Sequence, residues 1–167
     1  MIRAALIAMT TLIAVALPAQ ADERYIGVFV GSQHIGSDAY NDFNPGLTYG
    51  IRRDIGQGPA EWHVEGGVFY NSYEEVSPIL VTGLSTGVGE IGPGELRFGI
   101  SVGTAFYGDL VDIYEARGDT IPNVGGFVPI GILTGAYRVG RTEYRLNVLP
   151  YGEDVHGVVN FQFAISF

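Results

Sequence analysis

The run Gly157-Val158-Val159-Asn160-Phe161-Gln162-Phe163-Ala164-Ile165-Ser166-Phe167 alternates strictly between two faces. Val159, Phe161, Phe163, Ile165 and Phe167 share one face, and Val158, Asn160, Gln162, Ala164 and Ser166 the other. A period of two is the mark of a β-strand whose faces meet different surroundings. The same pattern recurs upstream: Leu96, Phe98, Ile100 and Val102 oppose Arg97, Gly99, Ser101 and Gly103, and Leu47, Tyr49 and Ile51 oppose Thr48, Gly50 and Arg52. Trp62, Val64, Val68 and Tyr70 likewise oppose His63, Glu65, Gly67 and Phe69.

Eight such segments are expected, over 24–34, 44–54, 60–71, 78–88, 95–107, 126–138, 142–150 and 157–167. Most reach the roughly 9–11 residues of a tilted membrane strand. The connections 55–59, 89–94 and 139–141 are tight and Gly-rich, whereas 35–43, 72–77, 108–125 and 151–156 tend to be longer and acidic. Short turns at one rim and long loops at the other are the arrangement of outer-membrane barrels. An even strand count closes the sheet and leaves no backbone hydrogen bond open to lipid. The expected fold is all-β: an eight-stranded antiparallel up-and-down transmembrane β-barrel.

The competing reading is a soluble periplasmic sandwich, or a ligand barrel with its apolar face inward. Tyr49, Trp62, Tyr70 and Tyr144 argue against it, because they sit near segment ends on the apolar face, as interfacial girdles do. The opposite face, with its Gly, Ser, Asn, Arg and Glu, would make a poor sandwich core. The closing Phe167 resembles the signal read by the barrel-assembly machinery.

Composition narrows the function. The 167 residues carry a formal charge of −9, 25 Gly and no Cys, and all nine basic residues are Arg. The absence of cysteine excludes disulfides, thiol catalysis and thiolate metal sites. The acidic balance excludes the basic face that nucleic-acid binding needs. With 47% hydrophobic residues the chain is no disordered tail.

Arg3, the apolar run Ala4–Leu17 and the small-x-small ending Ala19-Gln20-Ala21 form a cleavable export signal over 1–21. The barrel domain then occupies 22–167, in the cell outer membrane.

With Asp22 at the periplasmic rim, Arg52, His63, Glu65, Arg97, Arg138 and Arg145 fall on the inner face of the inner half, where paired charges would plug a small barrel. Gly50, Gly67, Gly83, Gly99 and Gly103 fall in the outer half. They would either leave an apolar slot lined by Phe69 and Ile79, or merely ease the curvature of a tight barrel.

Two pattern matches carry no chemistry. Gly87-Val88-Gly89-Glu90-Ile91-Gly92 lacks the βαβ context of a dinucleotide site, and Gly83-Leu84-Ser85-Thr86-Gly87 lacks the strand-to-helix turn of a nucleophile elbow. His34, His63 and His156 show no metal-ligand spacing, so no metal and no cofactor is expected. What remains is topological. His34 ends the first strand and Ser72 follows the third, so both reach the outer rim, where an imidazole base and a hydroxyl can meet. His156 reaches the same rim, which leaves the base unassigned between two histidines.

In order along the chain, His34 with Tyr40-Asn41-Asp42, Pro45-x-x-x-Tyr49-Gly50, Phe69-Tyr70-Asn71-Ser72-Tyr73 with Pro78 and Gly83, Val128-Pro129, and Leu149-Pro150 before the Phe-ending strand resemble the outer-membrane lipid A palmitoyltransferase (PagP-type) family. The resemblance implies an eight-stranded barrel that moves a palmitoyl chain from a phospholipid to lipid A. It places His34 and Ser72 at the catalytic His and Ser positions, Gly83 at the slot floor, and Pro150 where strand pairing loosens for lateral lipid entry. The chain departs from the family at several points. Asn71 occupies the catalytic acid position, where it can orient an imidazole but not offset imidazolium charge, an exchange that costs a serine triad about four decades in rate. Phe29 stands where a second gate proline is found. The amphipathic helix before the first strand and the basic residue of the third loop have no counterpart.

The expected function is acyl transfer or acyl-ester hydrolysis on lipid A or phospholipid, with His34 as base, Ser72 as nucleophile or alcohol-activating group, Asn71 as orienting residue, and Gly83, Pro150 and Phe69 around the acyl chain. The implied partners are membrane lipids, with the protein a monomer. A non-enzymatic barrel with a structural, adhesion or lipid-binding role is the alternative.

Overall fold

The computed structural model describes residues 22–37, 40–150 and 157–167, so the expected export segment and His156 lie outside the described residues. Eight strands follow one another: β1 (Glu23–Ile35), β2 (Gly46–Asp54), β3 (Ala60–Tyr70), β4 (Val76–Ile91), β5 (Gly94–Phe106), β6 (Phe127–Val139), β7 (Thr142–Leu149) and β8 (Gly157–Ser166). Each pairs antiparallel with the next, and β8 pairs back onto β1, which closes the barrel.

Two of the tight turns show why glycine recurs at one rim. The two-residue loops Gly92-Pro93 and Gly140-Arg141 each begin with a glycine at positive φ, 58° and 56°. That is the pattern of a type II′ hairpin turn, whose twist suits paired strands.

One element was not foreseen from alternation. The β5–β6 connection contains a helix, α1 (Gly108–Arg117), with Leu110 and Val111 buried and Gly118 closing it in the left-handed conformation. Asp109 in its first turn and Arg117 in its last complement the helix dipole. So short a helix is marginal alone and is held by what it packs against.

The apolar face of every strand points outward. Phe98 is 62% exposed, Val102 58% and Ile165 54%. Phe161 and Phe163 pack edge to face at 5.0 Å, and Phe163 meets Tyr144 in the same way at 5.9 Å.

The interior of one half is filled with paired charge. Glu143 accepts hydrogen bonds from Arg52 at 3.0 Å and from Arg138 and Arg145 at 2.5 Å. Glu61 accepts from Arg138 at 2.6 Å and faces Arg97 at 3.3 Å. Glu65 accepts from Arg145, Thr48, Tyr25 and Gln162 at 2.6–2.8 Å. The Tyr25 ring lies between Arg52 and Arg145, 5.2 and 4.7 Å from its centroid. Every carboxylate of this cluster meets at least one guanidinium, which offsets the cost of burying it.

Three of the inner-face glycines sit where neighbouring strands come close, while Gly50 makes room for the Tyr25 ring. A Cβ on Gly67, Gly83 or Gly103 would collide with the backbone of the adjoining strand, at Leu47, Ile100 and Leu80 respectively. These positions let neighbouring strands approach closely. They do not hollow out the interior.

Candidate active site

The placement of His34 depends on a bulge. Along β1, Tyr25 and Gly27 are buried and face inward, whereas Ile26, Val28 and Val30 are exposed. Continued alternation would send His34 outward with the even-numbered residues. The β1–β8 register shifts between Phe29 and Gly31, however, and beyond it the parity inverts: His34 is buried, and Gln33 and Ile35 are exposed. A bulge inserts one residue and re-aims the rest of the strand, which here brings the imidazole inside.

Pairing of β1 with β2 ends at Phe29 and Gly46, and the chain before β2 lies against the free stretch of β1. Ser32 N–H donates to Asp42 O at 2.8 Å, and the Ser32 hydroxyl bonds to Asn44. Asn44 Nδ2 donates to Tyr70 O at 3.1 Å, so this segment is tied to both flanking strands. Gly31 permits the approach, since a Cβ there would sit 2.8 Å from Asp42 O.

These constraints deliver Asp42 Oδ1 to 2.9 Å from His34 Nδ1. On the opposite side of the ring, Ser72 Oγ lies 2.8 Å from Nε2. A carboxylate only accepts, so Nδ1 carries a proton toward Asp42, and Nε2 is the nitrogen that faces the Ser72 hydroxyl. The imidazole is nearly enclosed, with 4% of its side chain exposed, while the Asp42 side chain is 50% exposed. Tyr40 stacks on the ring, centroids 5.0 Å apart at 27°.

The orienting partner of His34 is therefore Asp42 rather than Asn71. Asn71 is completely buried and builds the turn that carries Ser72. Its Oδ1 accepts from Tyr73 N–H at 2.8 Å and Glu75 N–H at 3.1 Å. Its Nδ2 donates to Ser77 Oγ at 2.8 Å and to Glu75 Oε2 at 3.3 Å. An Asp at this position would lose both donors and face the Glu75 carboxylate. Glu75 Oε2 also accepts from Gly108 N–H at 3.0 Å, which joins the serine turn to the start of α1. Glu74 within the turn is the single non-glycine residue at positive φ among the described residues, at 63°.

His34 and Ser72 border a cavity of about 80 Å³. Phe29, Phe69, Ile79, Ala105, Ile132 and Leu149 make its walls apolar. Phe69 packs against Phe29 at 5.7 Å and Tyr107 at 6.2 Å. Below it a polar chamber of about 50 Å³ leads to the charged cluster, and Phe29, Ile79, Ile132 and Asn147 border both spaces. Gly83 borders neither. It lies between His63 on β3 and Ser101 on β5, whose side chains meet across it at 3.0 Å.

Pro150 lies where the described β6–β7 pairing ends. It stops at Leu133 and Val148, so among the described residues Phe127 to Ile132 of β6 have no β7 partner. Pro129 and Pro150 flank the gap and have no N–H to donate across it. A groove of about 290 Å³ occupies it, with Leu110 and Tyr114 of α1 on one side. Tyr107, Ile130 and Leu149 border both this groove and the apolar cavity.

Chemically, the arrangement presents a hydroxyl with a base on it, the base oriented by a carboxylate, beside an apolar cavity that shares Tyr107, Ile130 and Leu149 with the groove. Asp42, Tyr40 and the bulge at Val30 were missed by sequence reasoning. The nearest signal was the acid in Tyr40-Asn41-Asp42, eight residues beyond His34. Searches against protein-family models and against curated proteins find no match to this chain.

Proposed function

We propose that this chain is an outer-membrane barrel that performs acyl-ester chemistry on membrane lipid, by acyl transfer or acyl-ester hydrolysis. The observation that carries the reading is the Ser72–His34–Asp42 relay at the border of an apolar cavity. The PagP-type motifs in its sequence point the same way.

Three features support the membrane setting. The outward face is apolar, the interior is polar, and a groove beside Pro129 and Pro150 lies along the part of β6 with no described β7 partner, where a lipid in the bilayer would enter. An acyl chain threaded through the groove into the cavity brings its ester carbonyl to Ser72.

In the chemical step, Ser72 Oγ attacks the ester carbonyl while His34 Nε2 takes the hydroxyl proton. Asp42 holds the ring and balances the imidazolium that forms. His34 then returns the proton to the departing alcohol. The acyl-serine passes its acyl group to an acceptor hydroxyl, deprotonated by the same imidazole, and Ser72 regains its proton.

Lipid mass spectra of cells with the protein, without it, and with Ser72→Ala test the reading. A product lipid present only with the unaltered protein is expected, and identical profiles in all three would overturn it.

A further inference from the structure

Beneath the apolar cavity the inner wall turns polar at one level on two adjacent strands. On β6 the inward residues descend in two-residue steps through Ile130, Ile132 and Thr134, and on β7 through Leu149, Asn147 and Arg145. In each series the first borders the apolar cavity, the second both spaces, and the third the polar chamber alone. The two spaces are therefore stacked end to end, with the chamber on the side away from Ser72. Inside it, His63 Nε2 and Ser101 Oγ meet at 3.0 Å, a base-and-hydroxyl pair that the relay at Ser72 does not use. Arg52, Arg97 and Arg145 line the chamber together with Glu61, Glu65 and Glu143, so its charges balance.

Two of these arginines keep a donor unused. Nε of Arg52 and Nε of Arg97 are buried without a hydrogen-bond partner among the described residues, in side chains only 2% and 5% exposed. A matching occupant presents an acceptor oxygen. It carries no net charge, because a further ion in this balanced cluster would go uncompensated. The chamber, about 50 Å³, has room for roughly four waters at 10–15 Å³ each, which is enough for the hydroxylated end of a chain. Resting on the acyl-ester reading, we infer that the acyl chain taken at Ser72 carries a hydroxyl toward its free end, and that this hydroxyl enters the chamber and joins the His63–Ser101 pair. A plain chain long enough to pass Ile132 and Asn147 would put a methyl group there, displacing water from polar groups and leaving them unpaired. A hydroxyl both accepts and donates, so it takes the place of that water. A chain too short to pass would hold its hydroxyl against the walls at Phe69, Ala105 and Ile130, where burying it is unfavourable. The preference for a hydroxyl therefore reverses with chain length.

The test uses the full mature chain in a nonionic detergent and p-nitrophenyl esters from hexanoate to tetradecanoate, each with and without a terminal hydroxyl. Among the short esters the plain chain is expected to have the higher kcat/KM. Among those long enough to reach the chamber, the hydroxylated chain should lead by about tenfold or more. Ser101→Ala removes one member of the pair and should cut that lead severalfold. A plain-chain preference or equal rates at every length would overturn the inference and leave acyl-ester chemistry standing. A lead that Ser101→Ala leaves whole would do the same. Release no faster than by Ser72→Ala at any length would remove the acyl-ester reading and the inference with it.

Discussion

His34 and Asp42 meet through Nδ1 and Oδ1 at 2.9 Å, although eight residues and the end of β1 separate them in the chain. The contact points Nδ1 at the carboxylate and leaves Nε2 facing the Ser72 hydroxyl. Asp42→Asn keeps the shape and discards the charge that balances imidazolium, so turnover of an acyl ester should fall by about 10²- to 10⁴-fold. Steady-state kinetics with a short-chain ester would measure it, and an unchanged kcat would remove Asp42 from the mechanism.

Asn71→Asp gives the opposite kind of information. If Asn71 were the orienting residue, a carboxylate there would raise activity. Its four side-chain hydrogen bonds instead hold the Ser72 turn, and two of them require an NH₂ group. The substitution is expected to lower activity and stability together, by roughly 1–3 kcal/mol in stability for the unsatisfied partners, as read from denaturant midpoints.

The bulge in β1 can be tested by deleting Val30. Without the extra residue, the strand alternates without a break from Tyr25 and Gly27, and His34 keeps its place opposite Val158 on the inner face. The deletion is expected to leave a closed barrel by circular dichroism and to retain ester turnover, and its loss would show that the bulge does more than reset parity. Gly31→Ala acts otherwise: its methyl would push the Asp42 backbone away from β1, lowering kcat while the barrel's denaturation midpoint moves little.

Glu143 balances Arg52, Arg138 and Arg145 at once. Glu143→Gln leaves these guanidiniums with less compensation in a buried cluster, at a cost of about 3–5 kcal/mol. The urea midpoint of unfolding should drop accordingly, whereas Glu90→Gln on an exposed turn-proximal residue should shift stability by no more than about 0.5 kcal/mol.

The barrel was legible because period-two alternation reports directly which residues face inward, and each expected strand lies within a few residues of its observed bounds. His34 and Ser72 were legible as rim neighbours because strand parity places strand ends at a rim. Asp42 was not. Its contact depends on how a connection folds back on β1, which alternation does not encode. The bulge was hidden for a related reason: Phe29, Val30 and Gly31 fit an unbroken strand as sequence, and only the paired register with β8 shows the slip. An apolar slot was one of two readings of the inner-face glycines, but glycine was the wrong sign of it. The cavity walls are Phe, Ile and Leu side chains that fail to meet across the barrel, while glycines such as Gly83 admit a neighbouring backbone.

The most direct measurement is covalent labelling of the folded protein by an alkyl fluorophosphonate, followed by mass spectrometry of its peptides. The relay predicts a single phosphonyl adduct on Ser72, lost in Ser72→Ala and strongly slowed in His34→Ala and Asp42→Asn. An unlabelled Ser72 in the folded barrel, or labelling indifferent to His34, would contradict an activated hydroxyl at this site.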